Sequence, residues 1–353
     1  MTWNVGTVGF GDDPEFHYVT APGRPSPPPL GSPRDAATGA LDGGSYFFGN
    51  NFGTAFFFVI GRLDPAHALS YITGGQGSGA QVDGTGAAAV IRSPNGIMQA
   101  PSGDLWFADV IGGTHGITIR KCDPTTGTVT TVAGHGLGVF GPGLIAGGPI
   151  DGTGTAAGFS GAYNLVASNA GNIWISEYDW SCVRKMTPAG VVTSITTPTP
   201  TWAVAYDQVR DILYCVGANA SGSSQFFRIN SPDSASPVVQ TMTPVPAPGV
   251  QFGYAFAGAV VDGNGDLWAG ANAGSGTHAL IRISRPWATL SPNARFVAYH
   301  DFARPVVPGP CRGFNFDIPG AALHLTAQGV SAVRLFTPSG RKDWPAVIEP
   351  TSP

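Results

Sequence analysis

Residues 116–134 read GITIRKCDPTTGTVTTVAG. Two runs rich in Ile, Val and Thr flank Asp123-Pro124-Thr125-Thr126-Gly127. β-Branched residues fit a pleated surface, and Asp, Pro and Gly supply a turn, so the stretch predicts a hairpin. A lone hairpin is marginal in water and needs more strands beside it. Upstream, Ser102-Gly103-Asp104-Leu105-Trp106-Phe107-Ala108-Asp109 opens an aromatic strand with a turn, and Gly96-Ile97-Met98-Gln99-Ala100 supplies a shorter strand. Read outward from the hairpin, one unit holds four strands in succession: a, b, c and d.

The unit recurs. The strand-c ending Arg120-Lys-Cys-Asp-Pro124 is echoed by Arg184-Lys-Met-Thr-Pro188, Arg228-Ile-Asn-Ser-Pro232, Arg282-Ile-Ser-Arg-Pro286 and Arg334-Leu-Phe-Thr-Pro338. Arg62-Leu-Asp-Pro65 is a shorter copy. The strand-b motif returns as Ala170-Gly-Asn-Ile-Trp-Ile-Ser-Glu177 and as Asn264-Gly-Asp-Leu-Trp-Ala-Gly270, with weaker copies at 211–215 and 44–49. Asp83-Gly-Thr-Gly86 and Asp151-Gly-Thr-Gly154 precede the two best units. About six units of four strands, each unit roughly 45–60 residues, fit a β-propeller: a single blade leaves both faces apolar, and a ring buries each face on a neighbour.

The stretches 95–109 (N-G-I through G-D-L-W-F-A-D), 119–121 (I-R-K) and 131–134 (T-V-A-G), with their second copy over 151–195, resemble the NHL-repeat propellers. The resemblance implies an all-β, six-bladed propeller of four-stranded antiparallel blades, with strand a lining a central channel. It implies no single activity, because propellers host many.

The whole chain, 1–353, reads as one such domain. The last unit has a strand c near Val330–Leu335 but a poor strand d, since Arg341-Lys342-Asp343-Trp344-Pro345 carries charge and Pro. Trp3–Val8 is a good spare strand ahead of the first expected strand a, His17–Thr20. The N-terminal strand is therefore expected to close the ring, leaving 341–353 as a tail. Residues 22–42, which include six prolines at 22, 25, 27, 28, 29 and 33, read as a stiff loop inserted in blade 1. A second long loop, 135–150, is apolar and Gly-rich and carries Phe140.

Composition agrees with strands and turns. Of 353 residues, 51 are Gly and 31 are Pro, both poor in helices. With 42% hydrophobic and 11% charged residues the chain can bury a large core. Its net charge of −4 and lack of a basic run argue against a nucleic-acid partner. No apolar stretch is long enough to span a membrane, and the N-terminus does not read as a signal peptide. The four Cys (122, 182, 215 and 311) lack paired spacing and read as buried thiols.

In a propeller the b–c and d–a loops share one face. The repeat register places Asp109, His115, His135, Phe140, Glu177, Asp179, Trp180, Asn272, His278 and His300 there as candidate binding residues. Thr114-His115 and Thr277-His278 both precede a strand c. The strand-a segments offer Asn95, Met98, Gln99, Tyr163, Asn164, Trp202 and Tyr206, without a repeated His or acid. The Asp-Gly-Thr-Gly copies read as turns in which Asp bonds local backbone N–H groups. The repeated Arg residues read as rim hydrogen-bonders whose stems pack between blades. No serine-hydrolase elbow, phosphate loop or HExxH helix is present.

These features lead to an expectation of a non-enzymatic binding or scaffold propeller. Loop aromatics (Phe140, Trp180, Trp202, Trp287) and sparse charge suit contact with a protein or glycan surface. A subunit of a larger assembly, such as a phage virion or tail assembled in the cytoplasm, fits that reading. No catalytic residue, cofactor or metal is expected on it. The alternative is an NHL-like metal-dependent hydrolase or lyase that uses the loop His and acidic residues, with metal-activated water.

Overall fold

A computed structural model of the chain describes residues 58–64, 69–75, 80–111, 116–135, 149–218 and 224–243 with their side chains for the most part. Elsewhere it describes the backbone at 4–7, 17–20, 36–38, 45–50, 245–246, 258–261, 265–272, 278–283, 286, 293–297, 311–316 and 323–327. The fold is nearly all β, and no α-helix occurs among the described residues.

The strands come in sheets that follow the sequence. β1 (Asn4–Thr7) and β2 (His17–Thr20) pair as an antiparallel hairpin. β3 (Ala36–Thr38), β4 (Ser45–Asn50), β5 (Phe58–Leu63) and β6 (Leu69–Thr73) form a meander. β7 (Gly84–Thr85), β8 (Pro94–Gln99), β9 (Leu105–Ile111), β10 (Gly116–Asp123) and β11 (Thr128–Gly134) form a sheet in the order β7-β11-β10-β9-β8. The next unit repeats it with β12 (Gly152–Thr153), β13 (Ala162–Ala167), β14 (Ile173–Glu177), β15 (Cys182–Met186) and β16 (Val191–Thr196). β17 (Thr201–Asp207), β18 (Ile212–Ala218), β19 (Ser224–Asn230) and β20 (Val238–Met242) make a four-stranded blade. β21 (Val245–Pro246), β22 (Ala259–Val261), β23 (Leu267–Asn272), β24 (His278–Ile283) and β25 (Asn293–Val297) make the next. β26 (Cys311–Phe316) and β27 (Leu323–Ala327) pair as two strands.

The opening hairpin is β10–β11, the c–d pair of its blade, joined at Asp123–Gly127. Asp123 accepts from the Thr125 N–H at 2.8 Å and the Thr126 hydroxyl at 2.9 Å, which fixes the turn. The inner strands β8, β13, β17 and β22 contact one another in turn, and β26 lies against both β22 and β3. Apolar residues from adjacent blades fill the space between them, as where Met98, Trp106 and Ile119 of one blade meet Phe159, Leu165 and Ile175 of the next. This is the propeller logic of burying each blade face on its neighbour.

Two expectations change. The first inner strand is β3, inside the segment read as an inserted loop, while His17–Thr20 pairs with Asn4–Thr7. The expected closure by Trp3–Val8 pairs it with Val330–Leu335, which lies outside the described residues. Finally, the Asp-Gly-Thr-Gly segments are not self-contained turns. Their Gly-Thr pairs are short fifth strands, with β7 on β11 and β12 on β16.

Candidate functional site

The strand-c arginines govern the loop face from inside two blades. Arg120 and Arg184 are completely buried. Arg120 meets Asp109 at 2.8 Å and Asp83 at 3.0 Å, and donates to the carbonyls of Val90 and Val82, both at 2.7 Å. Arg184 repeats the set with Glu177 at 3.4 Å, Asp151 at 3.2 Å, and the carbonyls of Gly158 and Ile150 at 2.7 Å. Five fixed donors let guanidinium serve several oxygens at once, which Lys cannot do. The reading of these two as rim hydrogen-bonders is thus corrected: each is the buried hub of its blade.

Asp109 and Glu177 are also fully buried, and both face inward rather than toward a ligand. Asp109 accepts from the Arg92 and Ser93 N–H groups at 3.0 and 2.9 Å. Glu177 accepts from the Ser160 N–H at 3.0 Å, the Ser160 hydroxyl at 2.9 Å and the Gly161 N–H. Each carboxylate ties the chain entering strand a to the end of strand b. Burial raises both carboxyls above their ordinary values, against the pull of the adjoining Arg and the N–H donors.

The other candidates divide. His135 is buried, with Nδ1 2.8 Å from the Thr155 carbonyl, at the seam between two blades. Asn272 and His278 face each other in the β23–β24 register, at the mouth of the b–c turn. Asp179 is exposed and Trp180 half-buried on the β14–β15 loop. His115, Phe140 and His300 lie outside the described residues. Of the inner-strand residues, Asn164 is buried, and its side-chain carbonyl accepts from the Val204 N–H at 2.9 Å, joining β13 to β17. Tyr206 donates to Asp211 at 2.6 Å at the opposite end of its strand.

What the fold does assemble is an aromatic lip. Tyr163 is the second residue of β13, Trp202 the second of β17, and Tyr178 follows β14. Their ring centroids stand 4.8 Å (Tyr163–Tyr178), 5.0 Å (Tyr178–Trp202) and 6.0 Å (Tyr163–Trp202) apart. All three are half-buried. The Tyr178 N–H donates to the Gly161 carbonyl at 3.1 Å, and the Tyr178 ring lies where a Gly161 side chain would be. Burial first, then the Asp179 charge, raises the pKa of the Tyr178 phenol. Sequence reading found Trp202 and Tyr163 separately. Tyr178 was missed because nothing in the linear motif marks a loop tyrosine that folds back over a glycine.

A metal centre needs clustered donors. No group of three or more His, Cys, Asp or Glu that could hold a metal occurs among the described residues. Asp109, Glu177 and Asn164 are engaged as above, so the described residues do not fit a metal. Cys122, Cys182 and Cys215 are buried free thiols. Burial pushes the Cys122 and Cys182 thiols up to about 12, far from reactive thiolates.

No family model matches the sequence, and no curated protein matches it. Solved structures do. A putative gluconolactonase shares 13% identity, over 85% of this chain and 87% of that one, with a TM-score of 0.51. A gluconolactonase from Xanthomonas campestris shares 13% identity, over 84% and 83%, with a TM-score of 0.50. A virginiamycin B lyase from Staphylococcus aureus shares 12%, over 84% and 78%, with a TM-score of 0.48. At such identity the likeness shows a common propeller fold. It also corrects the expectation of a non-enzymatic binding or scaffold subunit, a virion or tail component included, because two solved folds like this one are those of proteins named as gluconolactonases.

Proposed function

We propose that the chain is a propeller hydrolase that opens a small cyclic ester at its b–c loop face, and that its units are NHL-type repeats. The observation that carries the reading is the shared fold with two proteins named as gluconolactonases, spread over most of both chains. The site supports it in one respect. Asp179, the residue after Tyr178 on the β14–β15 loop, places an exposed carboxylate next in the chain to the aromatic lip. Water adds to the ester carbonyl, the ring C–O bond breaks, and a hydroxyl and a carboxylate result. Asp179 accepts the proton of the attacking water. A positioned general base of this kind contributes roughly 100-fold or more.

The test is ring opening of five- and six-membered lactones, read as acid release at constant pH, with and without added divalent cations. Turnover is expected, and Asp179→Asn is expected to lower kcat by about 100-fold while leaving the melting transition in place. A purified, folded chain that opens none of these lactones above background under either condition would overturn the reading.

A further inference from the structure

We propose that the outer strand β20 is a docking edge for a second copy of the chain, and that two copies join β20 to β20, antiparallel, into one continuous sheet. The inference goes beyond the proposed reaction and stands without it.

The other blades show how this fold treats an outer strand. β11, β16 and β25 are each covered by a short fifth strand, β7, β12 and β21, taken from the connection that leads into the same blade. Among the described residues the β17–β20 blade has no such cover, and the reason is length. Only residues 197–200 lie between β16 and β17, whereas residues 135–161 lie between β11 and β13. β20 is therefore the last strand of its sheet. Val238 is 63% exposed, and Gln240 and Thr241 are exposed as well. The outer strand β6 differs, because its end is held by the Gly86 carbonyl, which accepts from the Thr73 hydroxyl and the Gly74 N–H, both at 3.0 Å.

The register fixes which backbone groups β20 presents. Thr131 and Ser194 send their N–H groups outward, to Asp83 and Asp151. Both pair with a strand-c side chain that faces the preceding blade, Arg120 and Arg184. Phe227 faces the preceding blade in the same way and pairs with Thr241. The Thr241 N–H thus points outward, and by the two-residue period of a strand so does that of Val239. A two-fold axis through Gln240 sets Val239 of one copy opposite the partner's Thr241, and each such pair exchanges two hydrogen bonds. Gln240 then meets its own counterpart in the close, non-bonded register, with Cα atoms about 4.5 Å apart.

Charge and length favour a like strand as the occupant. Val238-Val239-Gln240-Thr241-Met242 has no charged side chain, so two copies oppose no like charges. Edge strands are ordinarily guarded by Lys, Pro, a bulge or a covering segment. β20 contains neither Lys nor Pro, and its pairing with β19 runs without a bulge. Pro237 and Pro244 bracket the strand, which confines the ladder to these five residues. So short a ladder buries less than the roughly 1,200 Å² of a standard interface, and a dissociation constant on the order of 10–100 µM is expected.

The experiment is sedimentation of the full chain over a concentration series, with three variants. The parent chain is expected to pass from monomer to dimer across that range. Thr241→Lys, which sets charges on the edge, and Thr241→Pro, which deletes an outward N–H, are each expected to weaken the dimer about tenfold or more while the melting transition stays in place. Should the Pro variant fail to fold, the Lys variant carries the same test. Gln240→Cys is expected to give a disulfide-linked dimer on mild oxidation that the parent chain does not give, since the two Cα atoms fall within disulfide reach. A parent chain that stays monomeric at about tenfold above the expected dissociation constant would overturn the proposal. So would a dimer indifferent to the Thr241 substitutions, or a Gln240→Cys chain that dimerises without cross-linking, because either places the interface elsewhere. Lactone turnover does not enter these readouts, so the hydrolase reading and the dimer stand or fall separately.

Discussion

Arg184 shows what one side chain can be asked to do in a blade. It is wholly enclosed, and charge in such a place is tolerated only when paired and hydrogen-bonded. Glu177 is the partner that shares its burial, whereas Asp151 is half exposed. Removing the cation strands a carboxylate rather than deleting a contact. Arg184→Met is therefore expected to cost about 3–5 kcal/mol at neutral pH, measured by denaturant unfolding. The pH dependence follows from sign. The Glu177 carboxyl is already raised in the folded protein, so its contribution to stability is full below the unfolded-state pKa and is lost as pH rises through the folded-state pKa. Without Arg184 the carboxyl rises further. The deficit of the variant should accordingly shrink as the pH is lowered and Glu177 takes up its proton, and a deficit constant from neutral to acid pH would refute this account of the hub. Arg120 with Asp109 offers an independent repeat of the same measurement.

At the scale of elements, the added outer strands are the least expected feature. Asp83 accepts from the Thr131 N–H at 2.8 Å and the Thr131 hydroxyl at 2.9 Å, as well as from Arg120, so it staples β11 to the segment that precedes β8. Asp151 does the same for the Ser194 N–H and hydroxyl, at 3.1 and 2.6 Å. Solvent reaches this end of the network, so Asp83→Ala should cost only about 1 kcal/mol. It should speed amide exchange at Thr131 selectively, and unchanged exchange there would show that the staple carries nothing. The sequence displayed the repeated Asp-Gly-Thr-Gly but not its partners, which lie more than forty residues away. The same limit hid the roles of Asp109 and Glu177: their places at the ends of strand b were legible, and the arginine across the ladder was not. Strands b, c and d of the central blades were legible because Trp, Ile, Val and Thr alternate between clear turns. β3 was not, because Ala36-Ala37-Thr38 is short, poor in strand formers and set among prolines. The lip was half legible. Two of its rings sit on predicted inner strands, and the third reaches them only through the fold of a loop.

For the whole molecule the open question is how a linear chain holds a ring shut. The strand that bridges the ends is β26, which touches both β22 and β3. Joining segments this far apart in sequence costs on the order of 5 kcal/mol of loop entropy, since the cost grows only with the logarithm of length. Burial of one inner strand between two blades is of similar size at roughly 25 cal/mol per Å², so the bridge can offset the closure without the N-terminal strand that sequence reading assigned to it. We expect an experimentally determined structure to count six blades, with β26 and β27 as the inner half of the last. A chain truncated after residue 310 lacks that bridge and leaves the inner strands β22 and β3 each without a neighbour on one side. It should unfold in a broader, less cooperative transition and self-associate through its uncovered edges, as light scattering would report. Removing residues 1–9 deletes one arm of a two-stranded hairpin and should be milder. If the two truncations trade places, with the N-terminal one aggregating and the C-terminal one melting like the full chain, then closure depends on the first strand after all, and β26 is a passenger.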